Sequence, residues 1–147
     1  MSDFWRNWLT IWCIDVAVFG AVLMGGAFEA TSGPVRLLFD VLDGPGDPVY
    51  DAHFRFSLAL MGAVTFGWSG TFYAAFQAAH ALEQRARPIW LLITASALGW
   101  YAVDSALSIA TGFAMNAASN TVLLIGYLVP LFASGVLQSH APSARTA

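Results

Sequence analysis

The run from Ser105 to Ala144, SALSIATGFAMNAASNTVLLIGYLVPLFASGVLQSHAPSA, contains no charged residue. A helix needs about 20 predominantly apolar residues to span a bilayer. The run is therefore long enough for the end of one span and the whole of another. A second uncharged run, from Phe56 to Leu82, is long enough alone. Working outward, the spacing predicts four spans, at about 8–28, 54–79, 88–111 and 120–139. The fold class expected is all-α: an integral membrane antiparallel four-helix bundle forming one transmembrane domain over 1–147. The punctuation agrees with this reading. Pro88 follows the polar run Glu83-Gln84-Arg85-Ala86-Arg87 and fits the first turn of the third span. Gly112 is a helix stop. Pro130 predicts a kink in the fourth span, and the carbonyl it frees must find a partner on a neighbouring helix or a hydroxyl.

Composition excludes several function classes. The chain has 147 residues, 58% of them apolar and only 10% charged. A soluble domain carries about 25% charged residues. Six arginines against nine acids give a net charge of −3 and no basic patch for nucleic acid. A single cysteine, Cys13, excludes an internal disulfide framework and a thiolate zinc cluster. The first span could be mistaken for a signal peptide, given Arg6 before it and Gly25-Gly26-Ala27 after it. Asp15 interrupts it, however, and it is longer than the usual 7–15-residue core, so we read it as a retained helix.

Arginine placement sets the expected topology. Arg6, Arg85, Arg87 and Arg145 fall on one side, and Arg36 and Arg55 on the other. The positive-inside rule puts both termini in the cytoplasm, with the inner plasma membrane as location. Trp5, Trp8, Trp12 and Trp90 would form half of an aromatic belt at that end. The one long connection, 29–53, is acidic and lies outside. Within it Ser32-Gly33-Pro34 reads as a helix start, leading to a short interfacial helix over about 34–42. Asp43-Gly44-Pro45-Gly46-Asp47-Pro48 forces a turn, and the tail 139–147 is expected to be disordered.

Polar residues in lipid should face other helices. Spacings of three and four give one stripe per span. In the first it is Trp8, Trp12, Asp15, Phe19, Val22, Gly26 and Glu29, and in the second Gly62, Thr65, Ser69, Tyr73, Phe76 and His80. In the third it is Thr94, Ala97, Tyr101, Asp104, Ser108 and Thr111, and in the fourth Asn120, Leu123, Tyr127, Pro130, Ser134 and Gln138. Gly62, Gly67, Gly70, Ala74 and Ala78 would let backbones approach closely.

Two acids could carry chemistry. An acid near mid-span costs about 2.5–3.5 kcal/mol on insertion scales. Asp104 lies about 10 Å from the outer end of its span, level with Tyr127 and Thr65, and Asp15 about 10 Å from the inner end of its own. The expected contact is an Asp104–Tyr127 hydrogen bond, with the two acids at different heights. Asp104, Asp15, Tyr127 and Ser108 are the candidates for binding a ligand or relaying protons, and the simpler reading is that each acid only fixes helix register. Glu29, Arg55, Arg36 and Asp43 are candidates for an outer ion pair, such as Glu29–Arg55, or for a cation site. His53 and His80 lie about 40 Å apart on one helix and cannot share a haem or metal. No nucleophile elbow, phosphate loop or zinc-protease motif is present, so no cofactor, metal or catalytic residue is expected.

Three stretches look familiar together. They are Leu37-Leu38-Phe39-Asp40 with Asp43-Gly44, then Arg55-Phe56 through Gly62 and Gly67-Trp68, then Val103-Asp104-Ser105 with Ser108, Gly112, Asn116 and Asn120. They resemble a group of small four-span bacterial integral membrane proteins with no assigned function. In that group the outer loop often carries Trp-Pro-Leu-Asp-Gly, of which Val41-Leu42-Asp43-Gly44 keeps the end. The resemblance implies an outer loop linked to the Arg55 and Asp104 regions, and no substrate.

The functional expectation is a non-enzymatic binding or accessory subunit. Its partners would be membrane lipid and a homo-oligomer or larger membrane complex, and not nucleic acid. The alternative is a small proton- or cation-coupled transporter, acting as an oligomer through Asp104 and Asp15. A lipid- or quinone-directed enzyme at the outer face ranks third.

Overall fold

Each long apolar run folds into one helix, and local chemistry sets its ends. A computed structural model of the chain describes residues 1–44 and 48–138. Over those residues it is all-helical: α1 (Asp3–Gly25), α2 (Gly33–Asp43), α3 (Ala52–Ala81), α4 (Arg87–Ala110) and α5 (Ala114–Ser134). Single 3-10 turns cover Glu29–Thr31 and Glu83–Arg85. The centre of the turn expected around 45–47, the tail 139–147, and with it His140 and Arg145, lie outside the described residues.

The caps explain the boundaries. Asp51 accepts from the Phe54 backbone N–H at 2.8 Å and starts α3. Pro88 sits in the first turn of α4, where its missing N–H costs no helical bond. Gly112 takes a left-handed φ of 93° and ends α4. There the Phe113 N–H reaches the Ser108 carbonyl at 2.8 Å and the Gly112 N–H reaches that of Ile109 at 3.2 Å. This pair of bonds is a Schellman motif, which needs a residue without a Cβ at that φ. Against expectation, α1 begins and ends several residues earlier than 8–28, and α5 fills 114–134 rather than 120–139.

Among the described residues three helices, α1, α4 and α5, are long and apolar enough to cross a membrane. Their outward faces are apolar: Ile11, Ile14 and Val18 on α1, Leu92, Val103 and Leu107 on α4, and Val122, Ile125 and Phe132 on α5 are all more than half exposed. The longest helix, α3, is less apolar, being diluted by His53, Arg55, Gln77, His80 and several small polar residues. Its outward hydroxyls are satisfied locally. Ser57 donates to the His53 carbonyl and Thr71 to that of Gly67.

The helices pack as two antiparallel pairs, α1 with α3 and α4 with α5, and α1 also lies along α5. One core of buried residues joins all four. It centres on Trp12, Phe72, Phe76, Trp90 and Tyr127. Phe76 stacks on Tyr127 with centroids 5.9 Å apart and on Trp90 at 5.7 Å. Trp12 and Trp90 are therefore core residues and not members of the expected aromatic belt. Their rings are large enough to close the centre, which outweighs the interfacial preference of indole. A smaller core at the other end, Leu23, Val35 and Leu58, seats α2 on α1 and α3.

Two tryptophans on successive turns of α1 bind α5 through their N–H groups. Trp12 donates to the Leu123 carbonyl at 2.9 Å, and Trp8 to the Gly126 carbonyl at 2.8 Å. Gly126 is four residues before Pro130, so its carbonyl has no helical donor. The indole of Trp8 supplies the missing bond. Trp8 remains 41% exposed because only its edge is needed.

The inward stripes of α3, α4 and α5 largely match expectation, with three positions corrected. Tyr73, Thr111 and Gln138 are exposed, and Phe72 takes the place of Tyr73. The α1 stripe is rotated. Its buried residues are Leu9, Trp12, Cys13, Val16, Gly20 and Leu23, whereas Asp15 and Phe19 are exposed. The close contact with α3 sets the rotation. A Cβ on Gly20 would meet the Phe66 nitrogen at 2.7 Å and the Gly62 carbonyl at 2.8 Å, and one on Gly62 would strike Met24 and Gly20. Gly67 and Gly70, expected in such contacts, have nothing within 4 Å of a built Cβ, and Ala74 and Ala78 are exposed.

These contacts generate a matched prediction. Gly62→Ala should destabilise the protein by about 1–3 kcal/mol, because backbone atoms cannot yield to an added methyl. Gly67→Ala and Gly70→Ala should be neutral or slightly stabilising. Equilibrium unfolding in mixed micelles checks this, and equal losses at all three positions would refute the crossing-point argument.

Candidate functional site

Between the two cores the helices separate and leave a cleft of about 360 Å³. Its walls come from α1 (Asp15, Val16, Phe19), α2 (Leu38, Leu42), α3 (Thr65, Trp68), α4 (Trp100, Asp104) and α5 (Asn116, Ser119, Asn120, Leu123). A second cleft of about 330 Å³ adjoins it, and Phe19, Leu38, Leu42, Thr65, Asp104 and Asn116 line both. Leu38 and Leu42 lie one turn apart on α2, which places that helix over the junction.

Asp104 stands at the junction. Its Oδ1 accepts from the Asn116 and Asn120 amides and from the Ser108 hydroxyl, each at 3.1 Å. Asn116 also donates to Ser108 at 2.8 Å and Asn120 to Ser105 at 3.4 Å. Among the described residues no donor reaches Oδ2. The local cause is helical spacing. Asp104 and Ser108 share one face of α4, as Asn116 and Asn120 share one of α5, and the antiparallel pairing brings those faces together. The result is a carboxylate fixed in orientation by three donors, with its second oxygen uncommitted.

This corrects one expected contact. Tyr127 does not bond Asp104. It lies fully buried in the core, and its hydroxyl pairs with that of Thr94 at 2.9 Å. Thr65 lines the cleft but donates to its own helix at the Met61 carbonyl. Counting residues from helix ends misplaced Tyr127, because α5 begins and ends earlier than expected. Asp15, expected inside the first stripe and at another height, is exposed and lines the same cleft as Asp104. Sequence reasoning did not assign Asn116, Trp68 or Trp100 to the site. The four-residue spacing of Asn116 and Asn120 was the available signal for the first.

A second polar cluster sits at the α2 end of the molecule. Glu29 pairs with Arg55 and, at 3.1 Å, with Arg36. Arg55 also donates to the Gly26 carbonyl at 3.2 Å and the Tyr50 carbonyl at 3.1 Å. Arg36 lies over the Tyr50 ring, 4.1 Å from its centroid. The cluster ties the end of α1, the start of α2 and the start of α3 together. Asp43, proposed with these residues, is instead exposed at the end of α2. Among the described residues no three His, Cys, Asp or Glu side chains group as metal ligands. The hydrogen bond from Arg55, reinforced by the charge of Arg36, holds the Glu29 carboxyl below its ordinary value of 4.5. Burial pushes the Tyr50 phenol up.

No protein-family model matches this chain, and neither a curated protein nor a solved structure is significantly similar to it.

Two outcomes are expected. Asp104→Asn should keep most of the stability, since an amide oxygen still accepts from Asn116 and Asn120. Asp104→Leu strands those donors and should cost about 1–3 kcal/mol in equilibrium unfolding. The second concerns pH. A lowered carboxyl value means that Glu29 stabilises the α2 end above about pH 4.5, and that this contribution fades as pH falls through the lowered value. Amide protection factors across Val35–Asp43, corrected for the intrinsic exchange rate at each pH, should therefore fall in acid, and Glu29→Gln should remove that fall.

Proposed function

We propose that this chain is a four-span, multi-pass protein of the bacterial inner membrane, with both termini cytoplasmic, that works by binding rather than by catalysis. In this reading α3 is the fourth span. At thirty residues it exceeds the bilayer core in length. It runs antiparallel to α1, and Phe56, Leu60 and Val64 on its outer face are more than half exposed. The arginine count supports the orientation, and the resemblance to small four-span bacterial proteins supports the membrane. The binding site is the cleft around Asp104.

The observation that carries this reading is the state of the Asp104 carboxylate. One oxygen holds three donors, and the other has none among the described residues, in a wall that is otherwise mostly apolar. Ligand sites are built this way, with few polar groups fixed in orientation among apolar ones. The volume of about 360 Å³ lies within the usual range for a small molecule. No activated nucleophile or paired general acid and base faces it among the described residues.

A plug tests the reading. The protein is extracted with its surrounding membrane into polymer-bounded discs, and co-purifying molecules are identified by native mass spectrometry. Wild type should retain a discrete species beyond bulk lipid. Leu42→Trp, which fills the cleft from α2, should lose that species while keeping the fold. Equal retention by both proteins, or nothing beyond bulk lipid in either, would overturn the binding reading.

A further inference from the structure

The cleft has a charge imbalance that constrains its occupant. Thirteen residues line it, and two of them, Asp15 and Asp104, are acids. None is Arg, Lys or His. Asp104 is held by amides and a hydroxyl, which orient a carboxylate without neutralising it. Asp15 receives no hydrogen bond or ion pair among the described residues, although it sits at the middle of α1. A carboxylate at that depth is costly unless paired. Among the described residues no cation lines the cleft, so the balancing charge has to arrive with the ligand.

The wall between the acids adds a second constraint. Trp68 of α3 and Trp100 of α4 both face the cleft, with ring centroids 5.3 Å apart and planes inclined at 47°. Trp is the strongest cation–π partner, acting within about 6 Å of the ring centroid. Two inclined indoles beside two carboxylates favour an alkylated ammonium, whose charge is spread and whose surface is apolar. Phe19, Leu38, Leu42 and Leu123 supply matching apolar contact. Among the described residues no three His, Cys, Asp or Glu side chains group to hold a bare metal ion, and a zwitterionic lipid headgroup would bring its phosphate against the acids.

We propose that the cleft binds a small lipophilic organic cation, a tertiary or quaternary amine, with its charge between Asp15 and Asp104 and its apolar groups on Trp68 and Trp100. This rests on the binding reading above and adds the ligand class.

The test uses the full chain in discs of phosphatidylcholine, a zwitterionic lipid without net charge, which offers no competing anionic lipid. Isothermal titration compares benzyltrimethylammonium with neopentylbenzene, its isostere with carbon in place of nitrogen. The cation should bind at least tenfold more tightly than the neutral probe. Asp15→Asn and Asp104→Asn should each weaken the cation at least tenfold and leave the neutral probe unchanged. Trp100→Leu should weaken the cation severalfold, and Leu42→Trp should abolish both. Both asparagine substitutions keep a hydrogen-bonding group, and unchanged neutral binding certifies that the cleft remains folded.

Equal binding of the two probes, insensitive to Asp15 and Asp104, would overturn the cation inference and leave the binding reading standing. Binding of neither also overturns it, and the binding reading falls with it only if the co-purification experiment fails too. If Asp15→Asn breaks a dimer without changing cation affinity, Asp15 belongs to a contact between copies and the inference is wrong.

Discussion

The pairing of α4 with α5 is organised around the half-buried carboxyl of Asp104, whose Oδ1 takes its hydrogen bonds from side chains of those two helices. Asn116 and Asn120 can reach Oδ1 only if the two helices run antiparallel in one register. The same register brings Tyr101 to Thr121 at 3.0 Å and Thr94 to Tyr127 at 2.9 Å. Three polar contacts thus step down one seam, about one turn and then about two turns apart on α4. Between apolar surfaces in lipid there is little hydrophobic force to choose a register, so polar contacts of this kind decide it.

The α1–α3 pair solves the same problem with shape. Gly20 and Gly62 let two backbones approach until neither position has room for a methyl group. Dispersion between closely packed backbones then replaces the polar contacts that this seam lacks. The two pairs meet through rings, with Trp12, Phe76 and Tyr127 at the centre. That aromatic centre lies toward one end, and the α2 cluster closes the other. The cleft is the gap left where neither packing solution extends, and Asp15 and Asp104 both line it.

Much of this was legible in the sequence, for physical reasons. Uncharged length marked the long helices, and Gly112 and Pro88 marked ends, because those residues are tied to particular backbone states. The α4 and α5 stripes were readable because polar side chains cannot face lipid unaided. The α1 stripe was misread because its two acids were assumed to point inward. The contact of Gly20 with Gly62 rotated the helix, and a glycine in a sequence does not announce which neighbour it will meet. Trp12 and Trp90 misled for a related reason. Indole suits both an interface and a core, and composition cannot choose between them. Asp104 was recognised, but its partner was not, since a shift of one or two turns in the start of α5 exchanges Tyr127 for Asn116 and Asn120.

The bond from Trp8 to the Gly126 carbonyl ties together two positions at opposite ends of the chain. Pro130 creates the need, and Trp8 meets it. A residue with a backbone N–H at position 130 would let the helix satisfy Gly126 itself, and the indole at position 8 would then be free to change. With proline in place, loss of the indole leaves a carbonyl unpaired in an apolar layer. Neither position therefore has a fixed tolerance to substitution. The cost at each depends on the residue at the other, so the two should drift together during divergence and show non-additive energies in a double-mutant cycle.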